Sequence, residues 1–196
     1  MKKLIIASNN QGKIKEIKAI LNGYYDEVLS LKDAGIDIEV VEDGNSFHEN
    51  AAKKAIEISK IVEGDVLADD SGLCVDALDG APGIYSARFF GEGATDEKNN
   101  EKLLELLHGK GTRNAQFVCA IVLANSGAEK MYIEEKAEGI ILDAPRGDNG
   151  FGYDPLFYNE EYKQTFAELS AEIKNKISHR AKALAVLKEK VAEYMP

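Results

Sequence analysis

Cysteine is scarce in this chain: Cys74 and Cys119 are the two in 196 residues, each among apolar neighbours. Two such thiols exclude a disulfide framework and read as buried groups of a reducing compartment. His48, His108 and His179 show no paired zinc-ligand spacing and have no cysteine partnered to them in sequence, which argues against a zinc site. Basic charge is short as well. Lys and Arg number 24 against 34 Asp and Glu, a formal charge of -10, so broad attraction to nucleic acid or to an anionic membrane is disfavoured. A polyanionic substrate would need a few clustered lysines and arginines and a divalent cation. Long hydrophobic runs are missing too. The opening Met1-Lys2-Lys3-Leu4-Ile5-Ile6-Ala7 is too short in its apolar part for a signal peptide or a membrane span, so a cytoplasmic protein with no membrane partner is expected. No repeat, linker or low-complexity segment interrupts the chain. With 44% hydrophobic residues, one globular α/β domain over residues 1–196 is the expectation.

Periodicity supplies the elements. Residues 4–7 read as a buried strand, 8–12 as a polar turn and 13–21 as a helix with Ile14, Ile17, Ile20 and Leu21 on one face. A second helix is expected over 47–62 and a third over about 95–108, capped by Thr95 and ended by Gly109 and Gly111. Residues 116–124 are apolar on both faces, as a central strand covered on both sides would be, and Asn125-Ser126-Gly127 offers a hairpin turn into 130–137. A last helix begins near Ser178, with Ala181, Leu184, Leu187 and Val191 on one face. Strand-helix units mixed with a hairpin predict a mixed sheet.

Five segments carry candidate chemistry. Asp69-Asp70-Ser71-Gly72 follows the apolar run Val66-Leu67-Ala68, and reads as two carboxylates leaving a strand terminus into a turn. Adjacent side chains on extended backbone point to opposite sides, so one would face a cation and the other support the loop. Ser8-Asn9-Asn10-Gln11-Gly12-Lys13 lies between a strand and a helix start, where free amides and the helix dipole attract phosphate; the same residues also suit a plain Asn-rich cap, and the Walker spacing is lacking. Glu39 and Glu42 stand in an acidic extended run, and Glu42, nearer its break, is the better second carboxylate for a hard cation. Glycines on both sides of Phe151 suit a planar partner stacking on the ring, with Asp154 accepting a hydrogen bond from that partner's edge. Lys174, His179 and Arg180 are placed at the entry to the last helix, where cations oppose the dipole; an anionic or hydrogen-bonding ligand would explain them, as would a solvated, charged helix start.

Six segments in order, SNNQGK, FHENAAKKA, ADDSGL, GAPGIYSARF, GFGYDP and KNKISHRAKAL, resemble the inosine triphosphate pyrophosphatase family, the noncanonical purine NTP pyrophosphatases. The resemblance spans almost the whole chain. It implies a mixed, twisted sheet with flanking helices forming two lobes around a long central cleft, a homodimer, and Mg²⁺-dependent hydrolysis of ITP, dITP and XTP to the monophosphate and pyrophosphate. Carried over residue by residue, it makes Asp70 the proton acceptor and a metal ligand, Glu42 the other metal carboxylate and Asp69 a supporting residue. Substrate contacts map to Ser8, Asn9, Asn10, Gln11, Gly12 and Lys13, to Ser71, to Phe151, Gly152, Tyr153 and Asp154 on the base side, and to Lys174, His179 and Arg180. Two other readings stand beside it: a related pyrophosphatase of the septum-inhibitor type, and a nucleotide-binding regulator without turnover. The paired Asp69-Asp70 and Lys13 argue against the second, since a sensor needs no water-activating carboxylate.

Overall fold

The computed structural model describes residues 2–194. In chain order these form β1 (Lys3–Ile6), α1 (Gln11–Leu21), β2 (Glu27–Ser30), α2 (Phe47–Ser59), β3 (Asp65–Val75), α3 (Asp96–Leu107), β4 (Asn114–Asn125), β5 (Ala128–Ile141), β6 (Phe157–Asn159), β7 (Gln164–Thr165), α4 (Ala171–Ile177) and α5 (His179–Tyr194). The strands make one sheet in the order β2-β1-β3-β4-β5-β6-β7. β1 runs parallel to β2 and to β3, placing Ile5 opposite Leu29 on one side and Val66 on the other. β5 with β6 and β6 with β7 are antiparallel, so the sheet is mixed, as the element order predicts. The chain divides into two compact units, residues 2–70, 119–135 and 180–194 in one and 71–118 and 136–179 in the other.

Alternation along the strands builds two cores in the first unit. Leu4 and Ile6 pack with Ile14, Ile17 and Leu21 of α1 and with Leu184 and Leu187 of α5. Ile5 and Ala7 point the other way, onto Ala51, Ala55 and Ile58 of α2. A sheet covered on both faces needs strands that are apolar throughout, which is why residues 118–124 read as one continuous run. In the second unit a single cluster joins Leu73, Val75, Phe117 and Ile141 of the strands to Leu103 and Leu107 of α3 and to Phe157 and Phe166. The β4–β5 connection is the tight turn expected: Ser126 and Gly127 both have positive φ, 51° and 77°, the pattern that matches the twist of paired strands. No helix among the described residues is long and apolar enough to cross a membrane.

Four local expectations are corrected. β3 does not end before the carboxylates; it continues through Asp69, Asp70 and Ser71 to Val75. Side-chain partners reach one oxygen of each acid there, Asn50 on Asp70 and Lys13 on Asp69, in place of the local turn that such residues otherwise make with their own backbone. Residues 38–44, expected as an acidic extended run, pair with no strand. Four short elements, β2, β6, β7 and α4, lie outside the expected set, because two to seven residues are too few to establish a period. Lys174 consequently lies in the last turn of α4 rather than at the entry to α5, and there its charge favours the helix dipole instead of opposing it.

Candidate active site

The segment after β1 is held by its own side chains. Ser8 Oγ accepts from the Asn10 amide at 3.1 Å, and Asn10, the N-cap of α1, accepts from the Lys13 amide at 3.0 Å. Asn9, Asn10 and Gln11 are exposed, while Ser8, Gly12 and Lys13 are half-buried. The cap fixes where Lys13 leaves the helix. Its Nζ reaches Asp69 Oδ2 at 3.1 Å, and the same oxygen accepts from Arg180 Nε and Nη2 at 3.3 and 3.2 Å. Arg180 Nη1 pairs with Glu16, one turn beyond Lys13 on α1. Burial works against the Arg180 charge, but Asp69 and Glu16 outweigh it and hold the guanidinium above its ordinary pKa. Two cations thus converge on a fully buried carboxylate. Such an arrangement positions Lys13 rather than adding net stability, since desolvating four charges costs about what their attraction returns.

Asp70 points the opposite way along β3, as adjacent residues of an extended chain must. Its Oδ2 accepts from Asn50 Nδ2 at 3.0 Å, inside the first unit. Burial pushes its pKa up; Lys54, Lys13 and the Asn50 bond pull it back, and the charge of Glu42 raises it further. Lys54 Nζ donates to the Asp69 carbonyl at 2.8 Å and pairs with Glu42. Glu42 is half-buried and electrostatically coupled to Asp70; Glu39 is exposed and does not figure among the charges acting on it. Two hard carboxylate donors that repel each other suit a divalent cation. Among the described residues no group of three or more His, Cys, Asp or Glu gathers as a metal cage.

The second unit holds the remaining candidates, each described within that unit. Asp154 Oδ2 accepts from Lys174 Nζ at 2.6 Å and from the Phe151 amide at 3.0 Å, with both charged side chains buried. Lys174 Nζ also lies over the Phe151 ring, 4.7 Å from its centroid, so one ring face already carries a cation. Gly150 has φ +74°, and a Cβ there would come within 2.1 Å of Asp154 Oδ2. That glycine makes room for the carboxylate rather than for a planar ligand. Gly152, with φ +60°, has nothing within 4 Å of its Cβ position and leaves open space beside the loop. Tyr153 is buried, and its hydroxyl donates to the Ser86 carbonyl at 2.7 Å. His179 is buried and stacked on Phe117, centroids 4.7 Å apart and planes 14° apart. Ser71 is half-buried in β3, directly after Asp70.

The Ham1 family model matches residues 4–190 of the chain. The chain belongs to the Ham1 family. It is 55% identical to the dITP/XTP pyrophosphatase of Clostridium perfringens, over 96% of this chain and 97% of that protein. It is 51% identical to the dITP/XTP pyrophosphatase of Geobacter sulfurreducens, over 96% of each. The fold superimposes on the Staphylococcus aureus Ham1 protein with a TM-score of 0.87 at 44% identity, covering 98% of this chain and all of the other. Membership of the Ham1 family and the mixed α/β fold therefore stand as the motifs implied.

Three contributors to this Ham1-family arrangement escaped the sequence reading: Lys54, Asn50 and Glu16. Lys54 and Asn50 lie within the quoted FHENAAKKA segment, four residues apart on α2 and so on the same side as each other. Their spacing carried the signal. What was missing was the face of α2 that meets β3, which only the packed structure supplies.

Proposed function

We propose that this protein hydrolyses noncanonical purine nucleoside triphosphates, ITP, dITP and XTP, at the α-phosphorus, releasing the monophosphate and pyrophosphate and so cleansing the cytoplasmic nucleotide pool. The observation that supports the reading best is the buried Asp70 carboxylate, electrostatically coupled to Glu42 and steadied by Asn50. The activity named for relatives of about half-identical sequence points to the same chemistry.

In this reading each residue has a task. Asp70 orients a water toward the α-phosphorus and takes its proton as the new P–O bond forms and the bond to the bridging oxygen breaks. Lys13, held by Asp69, offers charge to the triphosphate, and Ser8, Asn9, Asn10, Gln11 and Gly12 line the approach to it. Ser71 contacts substrate beside Asp70. Phe151, Gly152, Tyr153 and Asp154 form the base side, with Lys174 fixing Asp154, while His179 and Arg180 complete the substrate contacts. Glu42 and Asp70 would hold Mg²⁺, which when bound would neutralise phosphate charge and acidify a water. The whole chain acts as one pyrophosphatase domain and as a homodimer in this reading.

Incubating the purified protein with ITP and Mg²⁺ and resolving the products tests it. IMP and pyrophosphate are expected, with turnover lost on chelation and a dimer mass by light scattering. Stepwise release of orthophosphate would overturn the α-phosphorus assignment.

A further inference from the structure

Both polar backbone groups of Gly152 are tied to one helix. The Gly152 amide donates to Asp96 Oδ2 at 2.8 Å, and its carbonyl accepts from Asn100 Nδ2 at 3.1 Å. Asp96 and Asn100 are four residues apart on α3, one turn on the same face, so the helix spaces its acceptor and its donor to meet one peptide position. Gly152 sits at φ +60°, a left-handed conformation that glycine adopts without strain but that nothing in a flexible loop would single out. Neighbouring residues are pinned in other directions: Tyr153 to the Ser86 carbonyl, and Phe151 through its amide to Asp154. Asn100 has a further peculiarity. Its Oδ1 is buried with no hydrogen-bond partner among the described residues, a cost that an apolar side chain of the same size would avoid.

We propose that Asp96 and Asn100 are positioning residues for base recognition, holding the Phe151–Asp154 loop in its substrate-binding shape through Gly152. The inference rests on the proposed function, because it takes that loop as the base side of the site. Neither residue is placed against the substrate. Their effect is on preorganisation: a loop already fixed loses less freedom when the purine binds, so affinity rises with no added contact. Removing the brace lets the loop sample other shapes, and the consequence falls on nucleotide binding while the Asp70 chemistry is untouched.

The test uses the full-length protein with ITP and Mg²⁺. Asp96→Ala, at an exposed position, and Asn100→Leu, which also removes the buried unsatisfied oxygen, should each raise KM for ITP about three- to tenfold with kcat within about twofold of wild type. Hydrogen exchange of the peptide carrying Gly152 should accelerate in both. Asp96→Asn keeps an acceptor for the Gly152 amide and should restore KM. Lys98→Ala, on the same helix but bonded to the Gly93 carbonyl, should change neither readout. Asn100→Leu should keep or raise the melting temperature, which separates a positioning role from a structural one. Wild-type KM in Asp96→Ala and Asn100→Leu, a fall in kcat at unchanged KM, or an equal rise in Lys98→Ala overturns the inference. If the wild-type protein releases no pyrophosphate from ITP, the proposed function itself fails and this inference with it; where it does, the variants alone decide.

Discussion

Asn50 and Asp70 are joined by a buried hydrogen bond of 3.0 Å, Nδ2 to Oδ2, and the other end of the same amide accepts from the Gly44 main chain at 2.8 Å. One side chain thereby links the general-base candidate to the acidic segment that carries Glu42. The space is tight: a Cβ at Gly44 would lie 2.7 Å from the Glu49 Cβ and 2.8 Å from Asn50 Oδ1. Asn50→Ala is predicted to raise the Mg²⁺ concentration for half-maximal turnover by about 10–100-fold, the scale on which partners of metal-ligating groups act. Mg²⁺ titration of ITP hydrolysis, together with Mn²⁺ binding followed by electron paramagnetic resonance, checks it. Unchanged metal dependence would mean that Asn50 only packs.

Asp70→Asn preserves shape and removes both a base and a metal charge. We predict a drop in kcat of roughly 10²-fold or more, with folding intact. Stability should move the other way. Burial raises the Asp70 pKa, so in metal-free protein the folded state binds more protons than the unfolded one from about pH 4 upward to the raised value. That protonation difference makes stability fall as pH rises through the window, and the full penalty persists above it. Asp70→Asn should therefore melt higher than metal-free wild type at pH 7, with the gap closing near pH 4; a lower melting temperature at pH 7 would contradict the electrostatic account.

Arg180 is 1% exposed and bonded to Asp69 and Glu16. Arg180→Leu strips a buried carboxylate of its main counter-charge, and is predicted to cost about 3–5 kcal/mol in urea unfolding. Glu16 side chains reach solvent more readily, so Glu16→Gln should cost less. A loss below about 1 kcal/mol for Arg180→Leu, the range of surface pairs, would show that the network is not the buried device described.

Base selectivity gives a separate prediction. ITP and XTP carry an oxygen at position 6 where ATP carries an amino donor, and a site that offers donors there leaves groups unmatched with ATP. Discrimination on the order of 10²-fold or greater in kcat/KM is expected. Phe151→Ala should weaken binding of all purine nucleotides by about 1–3 kcal/mol with little change in preference, because stacking of a base on an aromatic ring is indifferent to the base edge. Comparing kcat/KM for ITP, XTP and ATP in both proteins decides it. Equal hydrolysis of ATP and ITP by wild type would refute the assignment.

Residue order alone determined the strands and helices that have a period long enough to read. Leu4 to Ala7 alternates between two buried faces, Ile14, Ile17 and Leu21 repeat at helical steps, and Ser126-Gly127 supplies the two positive φ angles of a tight turn. The opposite facing of Asp69 and Asp70 was legible for the same reason, since extended backbone turns successive side chains through half a revolution. Tertiary structure alone decided what those carboxylates meet. Asp69 finds Arg180 across 111 residues, and Asp70 finds Asn50 across 20, distances over which no local pattern carries information. Whether β3 stops or continues at the acids was likewise settled by those partners, because a strand can carry two adjacent charges only where packed neighbours supply the opposite charge and the hydrogen bonds that water would otherwise give.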